Sequence, residues 1–119
     1  MNRKRILVAD DEEVIRMLIR LILGNDYEVV EVADGEAAWQ RLVDEKFQFD
    51  LLMVDWKMPR LGGGDLLKRV RAQNVNVPIL FLTGNLQTPI ESQPNVRVAT
   101  KPFNNSELAL TVRELVTKR

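Results

Sequence analysis

The chain has 119 residues with 17 basic and 17 acidic side chains, so its formal net charge is zero and nothing indicates a nucleic-acid or membrane-surface partner. Cys and His are both absent, which excludes disulfides, zinc sites with thiolate or imidazole ligands, and His-based catalysis. We expect one domain over residues 1–119 and a cytoplasmic location, since the sequence shows neither a signal-peptide pattern nor an apolar run long enough to span a bilayer.

Strands and helices are predicted to alternate along the chain, because short apolar runs alternate with longer stretches of helical periodicity. The predicted strands are Arg5–Ala9, Glu28–Val32, Leu51–Val54, Val77–Thr83 and Val96–Thr100. The predicted helices are Glu12–Leu23, Glu36–Glu45, Asp65–Gln73 (after flexible glycines at 62–64) and a last one from an N-cap at Asn104 or Asn105 to about Lys118. This alternation predicts an α/β fold with a single doubly wound, five-stranded parallel sheet and helices on both faces.

Polar side chains stand at the ends of four predicted strands. Asp10 and Asp11 follow the first strand, Asp55 the third and Lys101 the fifth, while Thr83 ends the fourth. Taken singly, the acidic pair could cap a helix, Thr83 could be an ordinary strand-end residue and Lys101 a solvated surface side chain. Because the carboxyl ends of parallel strands share one edge of a sheet, we expect these groups to share one pocket.

Three carboxylates in one pocket call for a cation. Two unit charges about 4 Å apart repel by roughly 4 kcal/mol at an effective dielectric near 20. Mg²⁺ suits the site because it prefers hard oxygen ligands, and Lys101 and Thr83 add a mobile positive charge and a hydroxyl donor. Such a set is suited to phosphoryl transfer, with Asp55 as the attacking nucleophile.

The order of these motifs resembles the receiver domain of two-component response regulators over essentially the whole chain. The motifs are Asp10-Asp11, Asp55-x-x-Met58-Pro59, Thr83-Gly84 and Lys101-Pro102-Phe103. The resemblance implies a flavodoxin-like strand order, 2-1-3-4-5. It also implies that Asp55 accepts a phosphoryl group from a phosphohistidine on a sensor histidine kinase or a histidine phosphotransfer protein. Thr83 and Lys101 would bind the phosphoryl oxygens, with a cis Lys101–Pro102 bond directing Lys101 to the site.

The resemblance also implies a set of Mg²⁺ ligands. Asp11, Asp55 and the Lys57 backbone carbonyl would ligate the ion directly, and Asp10 would act mainly through a metal-bound water. Two other functions remain open: a receiver-like protein-interaction scaffold that is never phosphorylated, and an aspartyl-phosphate phosphatase. The phosphatase typically needs a carboxylate two positions after the nucleophile, where this chain has Lys57.

Two departures from the family pattern fall on its usual output face. The aromatic residue expected three positions before Lys101 is replaced by Val98. The segment Asn85–Asn95 is short and contains Pro89 and Pro94, so we expect the fourth helix, between strands four and five, to be shortened or irregular. Ordering or displacement of this segment would then carry the signal, read by a partner or by a second copy through this segment and the last helix.

The first predicted helix carries two apolar rows. Residues Ile15, Leu18, Ile19 and Ile22 are expected to form the core stripe. The second row is Val14, Met17 and Leu21, which is either the margin of a wide core face or a docking surface for a helical phosphodonor.

Overall fold

The computed structural model describes residues 3–85, 87–90 and 93–117. Its strands are β1 (Lys4–Ala9), β2 (Tyr27–Val32), β3 (Leu51–Asp55), β4 (Ile79–Thr83) and β5 (Val96–Thr100). Its α-helices are α1 (Glu13–Leu23), α2 (Gly35–Asp44), α3 (Gly63–Ala72) and α4 (Asn105–Thr117). All neighbouring strands are parallel and the order is β2-β1-β3-β4-β5, so the predicted topology is confirmed. Asn104 caps α4 through its side chain, which accepts from the Glu107 N–H at 3.0 Å. The predicted helix end at Lys118 lies outside the described residues.

The sheet separates two hydrophobic cores. Alternate side chains of a strand point to opposite faces, so Ile6 and Val8 of β1 pack with α1 and α4, whereas Leu7 and Ala9 pack with α2 and α3. The strands β3 and β4 are buried along their whole length, while the edge strands β2 and β5 are partly exposed. Burial on both faces fixes the positions of the central strand ends, where the polar residues lie.

The core stripe of α1 differs from the predicted one. Ile19 and Leu23 are buried, and Ile15 and Ile22 are partly buried against the same core. Leu18 is 39% exposed, so its assignment to the core was wrong. The buried stripe follows positions 15, 19 and 23, four residues apart, and this register turns Leu18 away from the sheet.

Two elements begin two residues away from their predicted starts, each for a local reason. Strand β4 begins at Ile79 because Pro78 has no N–H to contribute to the sheet. Helix α3 begins at Gly63, within the glycines predicted to be flexible. A Cβ at Gly63 would lie 2.8 Å from the Asp55 carbonyl oxygen, so the absent side chain lets the helix start directly against the end of β3.

The connection between β4 and β5 is irregular, as predicted. None of its described residues, 84–85, 87–90 and 93–95, belongs to a helix. Within the described part of the chain, no helix is long and apolar enough to cross a membrane.

Candidate functional site

Four acidic side chains meet at the carboxyl edge of the sheet. Asp10, Asp11 and Glu12 follow β1, and Asp55 ends β3. One carboxylate oxygen from each lies within 4.8 Å of the others. If all four are ionised, the single ammonium of Lys101 leaves three negative charges in a small volume. This set of hard oxygen donors with excess negative charge fits a divalent cation such as Mg²⁺.

Asp10 is the innermost of these carboxylates and is fully buried. Its Oδ1 accepts from the Glu12 N–H at 2.9 Å, which fixes the turn out of β1. Its Oδ2 lies 2.9 Å from Lys101 Nζ but makes no well-directed hydrogen bond to the described residues. The N-cap position of α1 is Glu12, so Asp10 holds a turn before the helix and does not cap it.

Lys101 forms ion pairs with three of the carboxylates. Its Nζ lies 2.9 Å from Asp10 Oδ2, 3.2 Å from Glu12 Oε1 and 3.4 Å from Asp55 Oδ1. Its backbone N–H donates to the Thr83 carbonyl at 2.8 Å, and the Lys101–Pro102 bond is cis, as predicted. Burial lowers the pKa of Lys101, but the paired Asp10 carboxylate, with a smaller contribution from Asp55, outweighs it and the net shift is upward, so the ammonium stays charged.

Asp55 is buried at the floor of the site, with 7% of its surface exposed. Burial, followed by repulsion from Asp10, raises the pKa of Asp55 to about 6, although Lys101 acts in the opposite direction. Its environment therefore disfavours an uncompensated negative charge. A bound cation would remove that penalty and leave Asp55 ionised for attack on an electrophile.

Glu12 is the site residue that the sequence analysis missed. It was assigned to the first helix, but it precedes α1 and its Oε1 accepts from Lys101 at 3.2 Å. It is mostly exposed, which distinguishes it from Asp10. The available signal was the unbroken run of acidic residues from Asp10 to Glu13, longer than a single helix cap requires.

The cluster opens into a pocket of about 480 Å³, with Lys57, Thr83, Gly84 and Asn85 on its walls. All the residues predicted from the strand ends are therefore brought to one place, with Asp10 buried beneath the pocket lining. Thr83 is 5% exposed, and its hydroxyl forms hydrogen bonds to the β4–β5 connection. The side chain of Lys57 is exposed at the pocket mouth.

Comparison with known proteins finds one family over most of the chain. Residues 6–113 match the family model described as the response regulator receiver domain. The chain is 34% identical to the response regulator RppA of Synechocystis sp. (strain ATCC 27184 / PCC 6803 / Kazusa), covering 93% of this chain and 50% of RppA. It is 30% identical to the response regulator receiver protein CpdR of Brucella abortus (strain 2308), covering 95% of this chain and 97% of CpdR.

Comparison with solved structures finds the same family. The receiver domain of the Francisella response regulator 1452 matches with a TM-score of 0.83 and 31% identity, covering 98% of both chains. The chain spans half or less of the length of several curated relatives, from 15% to 50%. These matches characterise the receiver region and not the output of a longer protein.

Proposed function

This chain belongs to the family of response regulator receiver domains, and from that premise we propose that Asp55 accepts a phosphoryl group from a phosphohistidine. The donor would be a sensor histidine kinase or a histidine phosphotransfer protein. The observation that carries the proposal is the placement of Asp55, at the floor of an open pocket, within the carboxylate cluster and 3.4 Å from the Lys101 ammonium. Phosphorylation would switch a signalling surface of the domain.

In the proposed reaction, Asp55 acts on phosphorus, whereas Lys101 and Thr83 act on the phosphoryl oxygens. A carboxylate oxygen of Asp55 attacks phosphorus, the new O–P bond forms, and the N–P bond to the donor imidazole breaks with its electron pair going to nitrogen. Lys101, held 3.4 Å from Asp55, neutralises charge on the phosphoryl oxygens. Thr83 donates its hydroxyl to one of them.

We propose that Asp11 and Asp55, with the Lys57 carbonyl, ligate Mg²⁺ directly and that Asp10 contacts it through water. The proposal is supported by the carboxylate oxygens that lie within 4.8 Å of one another and by the buried Asp10 Oδ2. When bound, Mg²⁺ would supply positive charge to the phosphoryl oxygens. Without it, Lys101 is the one cation among the described residues that forms ion pairs with the cluster.

Phosphorylation itself is tested with a small phosphodonor such as acetyl phosphate, in the presence of Mg²⁺. We expect one phosphoryl group per chain, stable to acid and labile to base, as an acyl phosphate is. Asp55→Asn should abolish labelling because an amide cannot act as the nucleophile, whereas Asp26→Asn, an exposed carboxylate before β2, should leave it unchanged. Intact-protein mass spectrometry measures both. Undiminished labelling of Asp55→Asn would show that Asp55 is not the phosphoryl acceptor.

The phosphodonor is proposed to dock on the exposed apolar row of α1, which starts beside the carboxylate cluster. Val14 is 62% exposed, Met17 40% and Leu21 69%. A helical partner that presents its phosphohistidine to the pocket would cover this row, because α1 leads away from the pocket rim. Leu18, which is 39% exposed, adds apolar area next to this row.

We expect Met17→Glu to slow phosphotransfer from a phosphorylated kinase or phosphotransfer protein, since a charge would be buried in the interface. Labelling by acetyl phosphate should stay unchanged. Val43→Glu is the matched control, because Val43 is similarly exposed, at 44%, but lies on α2 across the sheet. Equal loss with both phosphodonors would indicate a folding defect, and an unaffected rate with the protein donor would place the docking surface elsewhere.

Lys57 is proposed to shield the acyl phosphate, since its exposed side chain lies at the pocket mouth. We expect the acyl phosphate of Lys57→Ala to be hydrolysed roughly two- to fivefold faster than that of the wild type. This is the change in rate that the loss of an exposed ion pair can cause. The decay of labelled protein gives the rate. Lys4→Ala, in an exposed position at the start of β1, should match the wild type. An unchanged lifetime for Lys57→Ala would rule out shielding.

The output is proposed to involve the β4–β5 connection together with α4, read by a partner or by a second copy in a homodimer. Val98 on β5 is 47% exposed and Leu110 on α4 is 56% exposed, so both offer apolar contact area. Direct nucleic-acid binding by this domain is not expected, given its balanced charge.

A further inference from the structure

Thr83 has a hydrogen-bond partner that the phosphoryl-transfer chemistry does not use. Its Oγ1 lies 2.7 Å from Thr88 Oγ1, in the connection between β4 and β5. The Thr88 hydroxyl also lies 2.7 Å from the Asn85 carbonyl and donates to it. Since a hydroxyl has one hydrogen, Thr88 must accept from Thr83 when it donates to Asn85.

These bonds close a ring. The Asn85 N–H donates to Thr83 Oγ1 at 3.1 Å, Thr83 donates to Thr88, and Thr88 donates back to the Asn85 carbonyl. The backbone N–H of Thr88 adds a bond to the same carbonyl at 3.1 Å. The single donor hydrogen of Thr83 is therefore already engaged before any phosphoryl group arrives. The Asn85 carbonyl, 3.3 Å from Thr83 Oγ1, is a longer alternative acceptor for the same hydrogen.

The ring is joined to the hydrophobic core. The Ile90 N–H donates to the Thr88 carbonyl at 2.9 Å, and the Ile90 side chain packs against the core formed with α2 and α3. A change at Thr88 is thus transmitted along a short turn to a core contact. The irregular connection has no helix among its described residues to hold it in place, so these few bonds and the Ile90 contact carry much of its order.

We propose that Thr88 is a positioning residue that holds the Thr83 hydroxyl in the unphosphorylated protein. On phosphorylation, the Thr83 hydroxyl donates to a phosphoryl oxygen instead of to Thr88. Thr88 then loses its donor, and the turn at residues 85 and 87–90 is released from Thr83. This inference rests on the proposed function, because Thr83 must engage the phosphoryl group. It assigns the switch to a side-chain hydrogen bond within the connection, and so requires no aromatic residue at position 98.

The proposal fixes the direction of the mutational effect. Thr88→Val keeps the shape of the side chain but removes the hydroxyl, so Thr83 gives up only its longer contact with the Asn85 carbonyl, at 3.3 Å, when it binds an anion. We expect beryllofluoride, a phosphoryl mimic, to bind about fivefold more tightly in the presence of Mg²⁺, which corresponds to one ordinary hydrogen bond. Thr88→Ser retains the hydroxyl and should bind as the wild type does.

Titration of the bound beryllofluoride signal by fluorine NMR measures these affinities. In a Thr83→Val background, Thr88→Val should add nothing, because the coupling between the two residues passes through the Thr83 hydroxyl. Amide hydrogen exchange gives a second readout: the amides of Asn85, Gln87, Thr88 and Ile90 should exchange faster once beryllofluoride binds to the wild type, and those at the same positions should already do so in free Thr88→Val. A merely structural role for Thr88 would weaken binding and would persist in the Thr83→Val background.

The outcomes separate the two proposals. Beryllofluoride binding by the wild type with unchanged or weaker binding by Thr88→Val overturns the role of Thr88 and leaves phosphorylation of Asp55 standing. Equal effects of Thr88→Val with and without the Thr83 hydroxyl also overturn it. A wild-type protein that binds no beryllofluoride overturns the proposed function and this inference with it.

Discussion

Replacing Asp55 with Asn should raise the free energy of unfolding of the metal-free protein by about 1–3 kcal/mol at about pH 8. The expected gain follows from the pKa of Asp55, which burial and then Asp10 raise from 3.8 to about 6. The folded protein therefore resists ionisation of a group that is readily ionised in the unfolded chain. An amide of the same shape removes that cost. Urea unfolding in the presence of EDTA measures the difference, and Asp26→Asn is the control at an exposed site.

The pH dependence of this gain has a defined sign. A carboxyl whose folded pKa lies above its unfolded pKa costs stability in full above the folded value, about 6, and costs nothing below the unfolded value, 3.8. The advantage of Asp55→Asn should thus be complete at about pH 8, small at about pH 4 and absent at about pH 3. A variant less stable than the wild type at about pH 8, or an advantage that grows on acidification, would contradict this electrostatic explanation.

Replacing Asp11 with Ala should remove most of the Mg²⁺ affinity, at least about tenfold, because losing a direct carboxylate ligand should cost no less than losing a supporting residue. Asp11 suits a direct ligand: its side chain is exposed in the pocket and its carboxylate lies within 4.8 Å of the others. Isothermal titration calorimetry measures the affinity. Glu13→Ala is the matched control, since Glu13 is an exposed acidic residue in the first turn of α1.

The Mg²⁺ affinity of Asp11→Ala can support or contradict the proposed ligand set. A large loss of affinity with Asp11→Ala, and none with Glu13→Ala, supports the proposed ligand set. Wild-type affinity in Asp11→Ala would mean that Asp10, Glu12 and Asp55 hold the ion without it. In that case the Asp11 carboxylate has no part in metal binding.

The sheet was predictable from sequence because its central strands are continuous apolar runs, such as Leu51–Val54, that end in polar residues. Parallel pairing then brings Asp10, Asp55 and Lys101 together without further information. The departures come from contacts that local sequence does not encode. Gly63 starts α3 because of the Asp55 carbonyl beside it, and Leu18 leaves the core because α1 rotates to bury Leu23.

The site was predictable as a set of strand ends but not in its hydrogen bonds. Glu12 was assigned to a helix because it is a good helix former and acidic residues suit the start of a helix, and only its contact with Lys101 reveals its place in the cluster. Thr88 lies five residues beyond Thr83 in a segment with no regular structure among its described residues, so no periodic pattern could pair their hydroxyls. Whether the two hydroxyls meet depends on the path of the backbone between β4 and β5.

The central claim, that Asp55 is the phosphoryl acceptor, is tested most directly by reducing the labelled protein with borohydride and mapping its peptides. Reduction converts an aspartyl phosphate into homoserine at the residue that carried the phosphoryl group. After incubation with Mg²⁺ and acetyl phosphate, homoserine should occur at position 55 and nowhere else. Homoserine at position 10 or 11, or none in protein that had been labelled, would contradict the account.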